Sequence, residues 1–120
     1  MLKNFLLVGI GGAAGSMLRY AFSWWFKNAS FPLGTFLVNI IGCFIIGAAF
    51  AFAMRNEHFD VNWRLFVVTG ICGGFTTYSA FSVEMLTMLQ QNKYALFIIY
   101  FSATVILGLL ATWFGYALMK

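Results

Sequence analysis

Residues 70–84 read GICGGFTTYSAFSVE. They lie within an apolar stretch, Leu65 to Leu89, whose only charged side chain is Glu84. As a helix rising ~1.5 Å per residue, a stretch of that length crosses a hydrocarbon core of ~30 Å. Yet Gly70, Gly73 and Gly74 stand just ahead of Thr76 and Thr77, and glycine and β-branched residues both weaken a helix. The spacing predicts a membrane-spanning helix broken near Gly73–Thr77, close to mid-depth. Lipid cannot satisfy backbone polar groups, so broken backbone at that depth is tolerated only where protein buries it or it lines a cavity. Such a break releases carbonyl oxygens, the ligands that unwound helices offer to hard cations such as Na⁺.

Outward from this segment the chain keeps the same character. Three further apolar stretches, Phe5 to Phe26, Leu33 to Met54 and Ala95 to Met119, are each long enough to span. The first is interrupted only by Ser16, Arg19, Tyr20 and Ser23, and the last two carry no charge. Of the 120 residues, 62% are hydrophobic and 8% charged. Soluble domains carry roughly 25% charged residues, so lipid is the solvent for most of this chain. The connectors, Lys27 to Pro32, Arg55 to Arg64 and Gln90 to Tyr94, are short, and Trp24, Trp25, Trp63, Tyr94 and Tyr116 cluster near span ends as an interfacial belt does. Lys3 followed by an apolar run and small residues has the outline of a signal peptide, but the run continues through Trp24 and Trp25 and three more spans follow. The expected fold is all-α: one domain, residues 1–120, of four transmembrane helices at about 5–26, 33–54, 65–89 and 95–119.

A net charge of +4, sparse and scattered, excludes a nucleic-acid surface. Cys43 and Cys72 lie in apolar stretches and read as small packing residues, and His58, beside Glu57 and Asp60, reads as a solvated loop residue. Gly11 with Gly15 and Gly70 with Gly74 form small-xxx-small pairs, which let helix backbones approach closely in lipid. With four spans, Lys3, Arg55, Arg64 and Lys120 share one side of the membrane and Lys27 and Lys93 the other. The positive-inside rule makes that a weak bias, which permits insertion both ways up and an antiparallel dimer and equally fits a modest preference for the termini inside. One copy of four helices fills its own centre with side chains, whereas a dimer offers a pathway between subunits.

Polar groups inside spans are costly and therefore functional candidates. Arg19 either snorkels to an interface or, in the favoured reading, faces inward as a structural group that bonds loop or helix-end carbonyls. Asn39 supplies an amide donor, and Ser79, Tyr100, Thr104 and Thr112 supply hydroxyls. Tyr78 and Phe81, spaced i, i+3, share a helix face just beyond the break, and a ring's positive edge faces a small anion without trapping it. Glu84, about a turn from Phe81, either joins a polar track or sits near the helix end in water. A lining of this kind suits a strongly hydrated anion that must shed water and leave again.

GGAAGSMLRY (11–20), GTFLVNIIGCFIIG (34–47) and GICGGFTTYSAFSVE (70–84) resemble, in order and over nearly the whole chain, the three signatures of the Fluc/CrcB fluoride channels. The third is highly specific. The resemblance implies a multi-pass protein of the bacterial inner membrane that lets fluoride leave the cytoplasm and so lowers its toxicity. It also implies a dual-topology antiparallel homodimer in lipid, with two pores and a structural Na⁺ at the dimer interface. Gly73 and Thr76 would offer backbone carbonyls to Na⁺, Asn39 would line a pore, Tyr78 and Phe81 would be the aromatic pair flanking Ser79, and Tyr100, Thr104 and Thr112 would extend a polar track. The chain departs from the family at Tyr78, usually Phe, at Ala80, usually small and polar, and at Gly108, where some members carry a hydroxyl. A small multidrug-type exporter is the alternative that length and topology allow. Expelling lipophilic cations needs an embedded carboxylate, typically in the first helix, and this first helix carries Arg19 and no acid. An enzyme is not expected: the spans hold no metal motif, no nucleophile–base pair and only one acid.

Overall fold

The computed structural model describes residues 1–55 and 60–120; residues 56–59, with Glu57 and His58, lie outside the described residues. Four segments are long and apolar enough to cross a membrane: Leu2–Trp25, Leu33–Arg55, Val61–Gln90 and Tyr94–Met119. We label the first α1 (Leu2–Trp25), the second α2 (Leu33–Arg55) and the last α5 (Tyr94–Met119). The third span has two arms. Its first, α3, covers residues 61–75, with Val61–Arg64 and Gly73–Phe75 α-helical and Leu65–Cys72 π-helical. Its second, α4, covers Tyr78–Gln90. The longest dimension, 51 Å, carries both ends past a hydrocarbon core of ~30 Å. Large apolar side chains such as Leu6, Ile10, Met17, Ile98, Leu109 and Trp113 are exposed along the helices, as membrane spans require.

The spans run slightly longer than their apolar stretches. The third begins at Val61 rather than Leu65 because the Asp60 carboxylate caps it, accepting from the Asn62 amide at 3.0 Å. The second begins behind Pro32, whose carbonyl accepts from the Phe36 amide at 3.1 Å. The break is narrower than the glycine pattern suggests. Gly73 and Gly74 remain helical, and only Thr76 and Thr77 leave the helix, both in the extended region that suits β-branched residues.

Packing follows the small residues. α2 lies along α5, α1 lies along α3, and beyond the break α4 turns onto α5. The break therefore moves the third span from one neighbour to another. Between α1 and α3 there is no room for side chains. A methyl group at Gly70 would stand 2.9 Å from Gly11 Cα, and one at Gly15 would stand 2.8 Å from the Phe75 amide and strike the Ile71 carbonyl. α1 meets Phe66, Gly70, Ile71 and Phe75 in turn, along the arm whose Leu65–Cys72 stretch is π-helical. Thr112 and Phe44 carbonyls close on Gly47 and Gly115 in the same way between α2 and α5.

Candidate functional site

The break is tied down from three elements. Asn39 of α2 grips the Thr77 peptide at both ends: its Nδ2 donates to the Thr77 carbonyl at 3.0 Å, and the Thr77 amide donates to its Oδ1 at 2.8 Å. Arg19 of α1 donates from Nε to the Gly74 carbonyl at 2.9 Å. Within the segment, Thr77 Oγ1 accepts from the Ala80 amide at 3.2 Å and so caps α4. Ser79 Oγ lies 3.2 Å from the same hydroxyl. Thr76 turns its hydroxyl back to the Cys72 carbonyl at 2.9 Å.

These bonds change which carbonyls are available. In a continuous α-helix the carbonyl of residue i accepts from the amide of i+4. The donor due to Gly73 is the Thr77 amide, which goes to Asn39 instead. The donor due to Thr76 is the Ala80 amide, which goes to the Thr77 hydroxyl. Gly73 and Thr76 thus present carbonyl oxygens without their helical donors, and Gly73 is exposed. That donor set fits a hard cation.

A second cluster lies one to two turns further along. Glu84 accepts twice, from Tyr100 Oη at 2.7 Å and from Thr35 Oγ1 at 2.8 Å. Both partners stand on other spans, Tyr100 on α5 and Thr35 on α2. The Tyr100 ring is fully buried, with Phe81 at 4.9 Å and Phe31 at 5.2 Å in edge-on contact. Tyr78 and Phe81 lie 6.2 Å apart, but they face different surroundings: Phe81 is 8% exposed and Tyr78 is 80% exposed. Tyr100 and Thr104 stand one turn apart on one face of α5, and Thr112 lies about two turns beyond, rotated by about a third of a turn from Tyr100. Among the described residues nothing meets the buried Thr104 Oγ1. Thr112 instead donates to the Gly108 carbonyl of its own helix at 3.0 Å. A cleft of about 220 Å³, lined by Ser30, Thr87, Gln91 and Lys93, reaches Glu84 from the connector side.

Three contributors were not singled out from sequence. Thr35 precedes Asn39 by one turn, and an embedded hydroxyl at that spacing was its signal. Thr77 was visible only as one of a pair, and its capping role needed the break to be located first. The Gly74 carbonyl that receives Arg19 has no sequence signal, since every residue carries one.

Residues 6–116 match the family model described as CrcB-like protein, Camphor Resistance (CrcB). The chain belongs to the CrcB family. Among its relatives, the protein named fluoride-specific ion channel FluC of Azobacteroides pseudotrichonymphae is 41% identical over 123 residues, covering 100% of this chain and 98% of the relative. A relative of the same name from Leptospira interrogans is 42% identical over 110 residues, covering 89% and 87%. Another, from Serratia proteamaculans, is 48% identical over 96 residues, covering 78% and 76%. In this CrcB protein the matched region takes in the Asn39 clamp, the break and the Glu84 cluster together.

Proposed function

We propose that this protein is a fluoride-specific ion channel that lets fluoride leave the cytoplasm across the bacterial inner membrane. The observation that carries the reading is the line of membrane-embedded polar groups from Asn39 through Thr35, Glu84 and Tyr100 to Thr104, flanked by an aromatic pair. Hydroxyls, an amide and ring edges replace an anion's water without the deep well a fixed positive charge would create. The family relatives named as fluoride channels support the choice of ion. The exporter alternative loses ground at Glu84, because both carboxylate oxygens are already committed to Tyr100 and Thr35 rather than open to a lipophilic cation.

The working unit in this reading is an antiparallel homodimer, favoured by the weak basic bias and by the outward-facing Gly73 and Tyr78. Gly73 and Thr76 of each of two chains hold one structural Na⁺ through backbone carbonyls. The cation offsets the partial negative charge that carbonyls gather at the end of α3. Asn39, Tyr78, Ser79, Phe81, Glu84, Tyr100, Thr104 and Thr112 border the two pores, and Arg19 secures the break behind them.

The test is ion efflux from liposomes holding the purified protein. Fluoride efflux well above protein-free liposomes, with chloride retained, is the expected result. Equal efflux of both ions, or of neither, overturns the reading.

A further inference from the structure

We infer that Asn39 and Thr77 create the cation site by diverting the amides that would otherwise close the Gly73 and Thr76 carbonyls. The inference rests on the reading that these carbonyls hold Na⁺. The four peptide groups around the break make the case. Two carbonyls are spoken for by side chains: Gly74 by Arg19 Nε at 2.9 Å, and Thr77 by Asn39 Nδ2 at 3.0 Å. The other two, Gly73 and Thr76, have lost their helical donors to Asn39 Oδ1 at 2.8 Å and to Thr77 Oγ1 at 3.2 Å. Phe75, between them, is buried with its ring edge-on to Phe22 at 5.6 Å. Side chains of α1, α2 and the break itself thus engage the peptide groups around the Gly73 and Thr76 carbonyls.

Asn39 accordingly serves two sites at once. As a positioning residue it keeps the Thr77 amide away from Gly73, and the same side chain borders the polar line. Remove its Oδ1 and the Thr77 amide has its natural helical acceptor, Gly73, to return to. Remove the Thr77 hydroxyl and the Ala80 amide can return to Thr76. In either case a carbonyl engaged by an amide offers the cation less, although no ligand atom has been deleted.

The experiment follows thermal unfolding of the purified detergent-solubilised protein by tryptophan fluorescence. NaCl is exchanged for N-methylglucamine chloride at constant ionic strength, without fluoride. The quantity read is the Na⁺ concentration that half-saturates the rise in midpoint, which general destabilisation does not move. The unsubstituted protein should show a saturable rise. Asn39→Ala and Thr77→Val should each raise the half-saturating concentration by roughly tenfold, the scale of one hydrogen bond. Asn39→Asp, which keeps an acceptor for the Thr77 amide, should not raise it. Gly9→Ala, where a methyl group meets nothing within 4 Å, should match the unsubstituted protein. If Asn39→Ala does not fold, Thr77→Val decides. An unchanged half-saturation in Asn39→Ala or, failing that, Thr77→Val overturns the inference and leaves the cation reading standing. No Na⁺ response in the unsubstituted protein removes both.

Discussion

Tyr78 and Phe81 sit one turn apart on α4, yet one ring is exposed and the other is packed edge-on against Tyr100. That difference sharpens what each can do. Phe81 offers only ring edges, so its contribution is steric and quadrupolar. Phe81→Ile keeps an apolar group of similar bulk, a change that usually costs under about 1.5 kcal/mol of stability. It should therefore leave the fold intact and sharply lower fluoride flux in liposomes; normal flux would mean that the pair does not border the pore. The Tyr78 hydroxyl has no hydrogen bond among the described residues, and the family's usual residue there is Phe. Tyr78→Phe should conduct almost normally. A loss worth a bond to a charged partner, about 1.5–3 kcal/mol or more than tenfold in rate, would show that the hydroxyl has taken over. Tyr100→Phe is a different case, because it strands Glu84 Oε1 inside the protein. It should lower stability by about 1–3 kcal/mol, read as a fall in the thermal midpoint. A Thr35→Val, Tyr100→Phe double-substitution cycle should show coupling through Glu84, since both donors end on one carboxylate.

At the scale of helices, contact between α1 and α3 depends on the absence of side chains. Gly15→Val would drive a branched side chain into the Ile71 carbonyl and the Phe75 amide, backbone atoms that cannot move aside without displacing the break. We expect that variant to lose its single size-exclusion peak in detergent while keeping much of its helical circular dichroism. Gly9→Ala is the matched control: a methyl group there meets nothing within 4 Å. Alanine favours a helix over glycine by about 1 kcal/mol, so this variant should elute normally and unfold at the same temperature or slightly higher. If both variants behave alike, close approach is not what holds the two helices together. The glycine pairs announced this crossing in the sequence because nothing but a missing side chain lets backbones approach so closely. The π-helical bonding of Leu65–Cys72 had no such signal. It lies where α1 meets Phe66, Gly70 and Ile71, a face defined only once α1 is in place.

For the molecule as a whole, the basic residues leave orientation nearly balanced. Arg55 and Lys120 stand on the same side as Lys3 and Arg64, with Arg55 Nη1 donating to the Met119 carbonyl at 3.3 Å, against Lys27 and Lys93 on the other. An accessibility assay on a C-terminal tag in intact cells should find both orientations. A population lying wholly one way would defeat the antiparallel dimer unless an oppositely inserted partner chain were found. Adding two lysines to the Gln90–Tyr94 connector should shift the distribution towards one orientation and reduce flux, since an antiparallel pair needs both.

Four spans, their order and their apolar limits could be read from the chain alone, because an apolar stretch of about twenty residues satisfies its own backbone in hydrocarbon as a helix. The break was legible too, through Gly73, Gly74 and the paired threonines, as were most polar candidates, because each stands out against an apolar background. What the chain alone could not reveal is who bonds to whom. Where Glu84 finds its hydrogen-bond partners, why only Thr76 and Thr77 unwind, and which carbonyls stay available depend on groups 38 to 55 residues apart in sequence meeting inside the bundle. Those pairings arise from the way α1, α2 and α5 lean on the two arms of the third span, and backbone carbonyls carry no residue-specific mark. Local chemistry therefore determined that a break would form, and tertiary packing decided what the break exposes.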